Sequence, residues 1–257
     1  MREGTERLQS ASGILPIVVF VAVWEAVGRL GPFAGQLVFP PFSAVIVEFY
    51  HLTANGVLGE NFLSSLTRVL IGLFSGSVAG IAVGILMGWR DVANKALGPI
   101  ISLLFPIPAL GWLPLLMLWI GINEMLPITI IFICSFFPVV YNTATGIRNV
   151  DRTYIRAAEI LGASPLRVLF RIIVPLALPN IFTGLRLEAG MSWRVLLAAE
   201  MVAMPTGIGA LLMKAESLVR VDIILVCLIV LSIMCLVFEK GLALAERRMV
   251  GKWSNHA

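Results

Sequence analysis

Charge is scarce in this chain: 13% of its 257 residues are Asp, Glu, Lys or Arg, two are histidine and three are cysteine. A soluble domain carries about 25% charged residues, so a water-facing globule is excluded. His51 and His256 are the only histidines, which removes His-based triads, histidine metal sites and the H-E-x-x-H helix. Cys134, Cys227 and Cys235 fall inside apolar runs without metal-type spacing and read as core or lipid-facing side chains. No G-x-x-x-x-G-K-S/T phosphate loop occurs, so ATP chemistry belongs to a partner and not to this chain. With no nucleophile–base set and no metal set, an enzyme is not expected.

What the chain has instead is apolar length. Its mean hydropathy is +0.96, and a helix needs roughly 20 apolar residues to cross the hydrocarbon core. A barrel would place polar residues at every second position, and these runs do not. The spacing therefore predicts an all-α polytopic membrane protein with six spans, at residues 13–30, 66–89, 97–122, 126–146, 181–204 and 223–244, in one transmembrane domain covering residues 1–257. The first run follows Arg2 and Arg7 as a signal peptide would. Trp24, Glu25 and Arg29 stand where a small-residue cleavage site belongs, so the span is expected to be retained.

Lys and Arg set the orientation. With the N-terminus inside, the cytoplasmic segments collect Arg2, Arg7, Arg90, Lys95, Arg148, Arg152, Arg156, Arg167, Arg171, Arg247, Arg248 and Lys252. Lys214 and Arg220 remain outside, with Arg29 and Arg68 near span ends. Both termini are expected in the cytoplasm. The net charge of +4 follows from this asymmetry and from anionic lipid heads, so a nucleic acid partner is not required.

Residues 150–175 break the apolar pattern. Asp151 is placed to cap a short helix through "RTYIRAAEI", and Gly162 can take the left-handed conformation that ends it. Ser164 and Pro165 then read as N-cap and first residue of a second short helix, with Leu166, Leu169, Phe170 and Ile173 on one stripe and Arg167 and Arg171 on another face. Pro175 and Pro179 are expected to stop it before the fifth span. The product is a helix-turn-helix knob whose apolar stripe needs a partner.

Three further patterns lie within the spans. Gly72, Gly76, Gly80, Gly84 and Gly88 recur every four residues, a small-residue stripe that admits a second helix at close range. Pro106, Pro108 and Pro114 interrupt the third span and Pro127 and Pro138 the fourth, and broken backbone at membrane depth belongs where protein or a cavity surrounds it. Arg186, Glu188, Arg194 and Glu200 sit in or near the fifth span, where an unpaired charge costs at least about 2.5–3.5 kcal/mol. No i, i+4 pair within the helix satisfies them, so partners on other helices or another subunit are expected.

The 150–175 segment resembles the "EAA" signature of bacterial ABC importer permeases. Arg156, Ala157, Ala158, Gly162, Ile172, Val174 and Pro175 fall in its register, with Arg156 in place of the motif Glu and Val174 in place of Leu. The stretches "FPPFSAV", "PIPALGWLPLLMLWIGI", "FFPVVYNTATGIRNVD", "LGASP", "IFTGLRLEAGMSWRVLLAAEM", "GIGALL" and "ERR" are similar to the nitrate, sulfonate, taurine and bicarbonate branch of that family. Phe105 and Glu188 depart from it, standing where relatives commonly have Arg and a small or apolar residue.

The resemblance implies a type I importer fold: paired permeases, most simply two copies of this chain, with an ABC ATPase holding ATP and Mg docked below and an extracytoplasmic solute-binding protein above. It implies a cytoplasmic coupling helix at Arg156, Ala157, Ala158, Glu159, Gly162, Ala163, Ser164 and Pro165. Substrate-pathway candidates are Arg194, Glu188, Glu200, Arg186 and Trp112, with Arg194 placed to hold an anion. The implied solute is a small anion, with a heterocycle such as a thiamine precursor as the alternative. A channel or secondary carrier would need no docking helix, and the inverted repeat that would mark it is not seen.

Overall fold

The computed structural model describes the backbone of residues 2–30 and 38–254, with side chains over 15–30 and 38–249. Its helices are α1 (Arg2–Leu30), α2 (Phe42–Ala54), α3 (Val57–Trp89), α4 (Asp91–Leu104), α5 (Leu113–Trp119), α6 (Met125–Arg148), α7 (Arg152–Ile160), α8 (Pro165–Val168), α9 (Val174–Ala203), α10 (Ile208–Ser217) and α11 (Val221–Ser254). No strand occurs among the described residues. The fold class is all-α.

Four helical stretches are long and apolar enough to cross a membrane: Val57–Trp89, Met125–Arg148, Pro165–Ala203 and Val221–Met249. A fifth arises if Asp91–Leu104 and Ala109–Trp119 count as one span, although they bend by 88°. This bent pair occupies the expected third span, and Pro106 and Pro108 lie at its break. Proline removes an amide donor and fixes φ, so the chain turns there through a 3-10 segment, Ala109–Trp112. The expected first span falls within α1 and begins outside the residues whose side chains are described.

The chain divides into two units. In the first, residues 1–61 and 211–230, α2 lacks a side-chain cap of its own because Pro41 occupies its N-cap. Glu25 of α1 supplies the acceptor instead, taking the Ser43 amide and the Ser43 hydroxyl, each at 2.9 Å. Trp24 Nε1 donates to the Pro40 carbonyl at 3.1 Å. The pair Glu25 and Arg29, odd in an apolar run, thus anchors the start of the next helix. In the same unit Arg220 pairs with Glu48 of α2 at 2.9 Å and with Asp222 at 2.7 Å.

The second unit, residues 62–210 and 231–257, is built around α6. A β-carbon on Gly72 would lie 2.7 Å from Ile131 Cβ, on Gly80 3.0 Å from Val139 Cβ, on Gly84 2.5 Å from Thr143 Cβ and on Gly88 2.7 Å from Ile147 Cβ, while Gly76 faces Ser135. Each of these five glycines therefore receives one side chain of α6, and the partner numbers rise together, so the two helices run parallel. The Ser135 hydroxyl donates back to the Ile131 carbonyl of its own helix at 2.9 Å, which lets it pack against Gly76 without an unmet hydrogen bond.

On its other side α6 meets α9 in the opposite sense. A β-carbon on Gly146 would lie 2.7 Å from Asn180 Cβ, and one on Gly184 would lie 2.9 Å from Asn142 Cβ. Here the partner numbers move in opposite directions, which is the antiparallel register.

One expectation fails at the start of α9. Pro175 and Pro179 do not end the short helix, because residues Pro165–Ala203 form one continuous helical stretch. A π-helical turn over Leu169–Ile173 absorbs the disruption, with the Val174 amide reaching back five residues to the Leu169 carbonyl. Pro175 then occupies the first turn of α9, where a missing amide donor costs least. The expected stripe consequently splits: Leu169 and Ile173 are buried with Ile147, Val150 and Ala158, while Leu166 and Phe170 stay exposed.

Candidate functional site

Three places in the second unit carry chemistry: the knob around Gly162, a cleft beside the bent pair, and a charged hub at Arg68. The knob begins at Asp151, whose carboxylate accepts the Thr153 amide at 2.8 Å and is held below the usual carboxylate range by that bond. It ends in a full Schellman motif. The Gly162 amide donates to the Glu159 carbonyl and the Ala163 amide to the Ala158 carbonyl, both at 3.0 Å, and Gly162 sits at φ 77°. Ser164 opens α8 without a side-chain cap bond, and Pro165 follows as its first residue.

The knob divides its residues cleanly. Ala158 is buried and ties α7 to the core, whereas Arg156, Ala157, Glu159, Ser164 and Pro165 are exposed. Ile160 and Leu161 are each 86% exposed, and Arg156, Arg167 and Arg171 of the same segment are exposed too. The Schellman turn thus leaves two large aliphatic side chains facing outward in a segment that also carries exposed arginines.

The cleft, about 300 Å³, is lined by the Phe105–Leu110 turn, by Ile133, Cys134, Phe137 and Pro138 of α6, and by Glu188, Met191 and Val195 of α9. Its lining is apolar except for Cys134 and Glu188. Glu188 is 6% exposed, and Cys134 Sγ donates to its Oε2 at 3.4 Å. Phe105, at the position where the resemblance expects Arg, stacks on Tyr141 with ring centroids 5.8 Å apart.

Of the five pathway candidates only Glu188 lines this cleft. Arg194 lies on the exposed face of α9, with Met191 Sδ at 3.6 Å from its Nη1. Arg186 pairs with Glu246 of α11. Trp112 packs beside Leu113, Leu116 and Leu126, its indole nitrogen buried without an acceptor. Six residues at roughly 100° each separate Arg194 from Glu188 by about 120° around the helix, and the structure sends the carboxylate, not the guanidinium, inward.

Glu200 belongs to the hub. Its carboxylate accepts from Arg68 Nη1 at 2.7 Å, from Ser65 Oγ at 2.8 Å and from the Gly209 amide at 3.0 Å. Arg68 also donates to Glu124 through Nε and Nη2, each at 2.7 Å, to the Thr206 carbonyl at 2.7 Å and to the Thr206 hydroxyl at 2.9 Å. Gly207, at φ 116°, lets the chain fold over the carboxylate where a side chain would collide with it. The hub opens to solvent at Glu124 and is sealed at Glu200, whose two oxygens are taken by Arg68, Ser65 and Gly209, so Glu200 has no free edge for a solute. Sequence reasoning noted Arg68 but missed Ser65, Glu124 and Thr206; only the strangeness of one arginine in the apolar α3 signalled that distant acceptors were needed. No group of His, Cys, Asp or Glu suited to a metal occurs among the described residues.

Comparison with known proteins places this geometry. The sequence profile of the binding-protein-dependent transport system inner membrane components matches residues 76–251. The chain is 35% identical to the taurine transport system permease protein of Escherichia coli, covering 91% of this chain and 86% of that protein. It is 34% identical to the nitrate import permease protein of Synechocystis, over 91% and 87% of the two chains, and 30% identical to a putative aliphatic sulfonates transport permease protein of Bacillus subtilis, over 99% and 91%. Among solved structures, an inward-facing MetNI methionine ABC transporter gives a TM-score of 0.57 at 14% identity, covering 70% of this chain and 92% of that one, which is a likeness of fold. An all-helical chain with apolar spans, a rigid exposed knob and matches along most of its length belongs to the binding-protein-dependent transport system inner membrane components, the permeases of ABC importers.

Proposed function

We propose that this chain forms, with a second copy of itself, the solute path of an importer in a bacterial inner membrane, with both termini in the cytoplasm. A separate ABC ATPase, which holds ATP and Mg, docks on the Gly162 knob, and an extracytoplasmic solute-binding protein delivers solute at the opposite face. The observation that carries this is the knob itself: Ile160 and Leu161 are each 86% exposed at the tip of a Schellman turn. Aliphatic side chains fixed outward have no role in a water-facing loop, and a groove on a moving partner would use them to pass rotation to α9.

The solute is a small compound of the sulfonate, taurine or nitrate type, a reading supported by the relatives' names. The test is co-expression with a candidate ABC ATPase from the same genome and purification through a tag on the permease. The ATPase is expected to co-purify with the wild-type chain and to be lost from Leu161→Glu, which leaves the membrane spans untouched. Equal recovery from both would overturn the docking assignment.

A further inference from the structure

Glu188 is the one carboxylate lining the cleft, and it is 94% withdrawn from solvent in an apolar lining, since its residue exposure is 6%. Among the described residues no Lys or Arg lies within salt-bridge distance of it, and its polar neighbour is the Cys134 thiol at 3.4 Å. The one other acidic side chain of α9 is matched: Glu200 meets Arg68. The basic side chain two residues before it, Arg186, is taken by Glu246. A buried carboxylate without a cation is costly, so it stays ionised only where something supplies the missing positive charge.

We infer that Glu188 and Cys134 form a subsite in the translocation path for a cationic nitrogen, an ammonium or amidinium group carried by the solute. This rests on the importer reading above and narrows its sulfonate, taurine and nitrate types to a solute that also carries a protonated nitrogen, as taurine does: an oxyanion alone would enter a cleft whose one ionised carboxylate repels it. A solute with both an oxyanion and a protonated nitrogen places the nitrogen on Glu188, and the apolar walls from the Phe105–Leu110 turn exclude the water that would compete for the carboxylate. The carboxylate accepts from the N–H donors, and the thiol turns away or adds a weak contact. The size fits, because a cleft of about 300 Å³ holds a solute of a few heavy atoms and not a peptide.

The test uses Cys134 as the reporter. In the purified complex, with Cys227 and Cys235 replaced by serine, the rate at which N-ethylmaleimide alkylates Cys134 is followed by intact mass. Methylammonium and guanidinium are added as cationic probes, nitrate and methanesulfonate as anionic ones, and sodium chloride controls ionic strength. The cations are expected to slow alkylation roughly threefold at about twice their dissociation constants, and the anions to leave it unchanged. Glu188→Gln abolishes the protection and Glu188→Asp retains part of it. Protection by the anions, protection by no probe, survival of protection in Glu188→Gln, or a Cys134 that never reacts would each overturn the subsite. Should Glu188→Gln fail to assemble, the wild-type comparison of cations with anions decides alone. Co-purification of the ATPase is scored on the same preparation, so loss of the importer reading and loss of the subsite are separate results.

Discussion

Arg68 on α3 and Glu200 on α9 stand 132 residues apart in the chain and 2.7 Å apart in space, with side-chain exposures of 2% and 0%. Around them the hub spends all five guanidinium donors on Glu124, Glu200 and Thr206, so neither charge is left bare. Breaking one side of such a pair leaves the other charge buried. Arg68→Gln is expected to destabilise the chain by about 3–5 kcal/mol, read as a fall in the thermal midpoint of the detergent-solubilised protein. Retention of the wild-type midpoint would show that Glu200 finds another partner.

The hub also has an acid-sensitive edge. Arg68, through hydrogen bonds first and charge second, holds the Glu124 carboxyl below its usual 4.5. A depressed value contributes stability that is complete above the ordinary pKa and is lost as pH falls through the lower one. The Glu124 side chain is 65% exposed, so solvent screens the effect and the expected loss is modest. The thermal midpoint should decline between about pH 5 and pH 3 more steeply in wild type than in Glu124→Gln. Parallel curves would remove Glu124 from the account.

The glycine seam makes a sharper demand. Gly80→Leu drives a side chain into Val139 and the Phe136 carbonyl, which lies 2.9 Å from where its β-carbon would sit, and is expected to cost at least about 3 kcal/mol. Val78→Leu, at an exposed position of the same helix, adds a methylene and should change the midpoint little. Equal effects would mean that composition and not close approach governs the stripe.

At Gly162 the space is open, since nothing lies within 4 Å of a β-carbon built there, and the constraint is φ 77° alone. Substitution should therefore follow left-handed tolerance and not size: Gly162→Asn mild, Gly162→Ala intermediate at about 1–2 kcal/mol, Gly162→Val worst. The yield of co-purified ATPase ranks the three. An order set by side-chain volume would point to a clash in the docking groove instead.

Arg194 offers the opposite case. It is exposed, and no carboxylate lies within salt-bridge distance of it among the described residues. Arg194→Gln should leave the thermal midpoint within about 0.5 kcal/mol of wild type. A large loss would reveal a carboxylate on a second copy of the chain.

The fold was readable because bilayer length and proline placement act locally: runs of apolar residues marked the long helices, Pro106 and Pro108 marked the break, and Gly162 marked the turn. The stripe of α3 could be seen, but not that α6 fills it one side chain at a time. The π turn over Leu169–Ile173 was hidden, since proline in sequence announces a broken helix and a widened turn can carry the helix through. The site was harder for the same reason. Helical angles separate Arg194 from Glu188 without saying which of them faces inward, and the acceptors of Arg68 come from three segments with no common spacing.

The parallel register of α3 and α6 also sets what the bundle can do when it moves. With Ile131, Ser135, Val139, Thr143 and Ile147 each seated over its own glycine, sliding one helix by a single residue would drive five side chains into backbone at the same time. The two helices therefore behave as one rigid stave. Any change of shape that opens or closes a path has to be taken up beyond the seam, in the segments that join and flank these two helices.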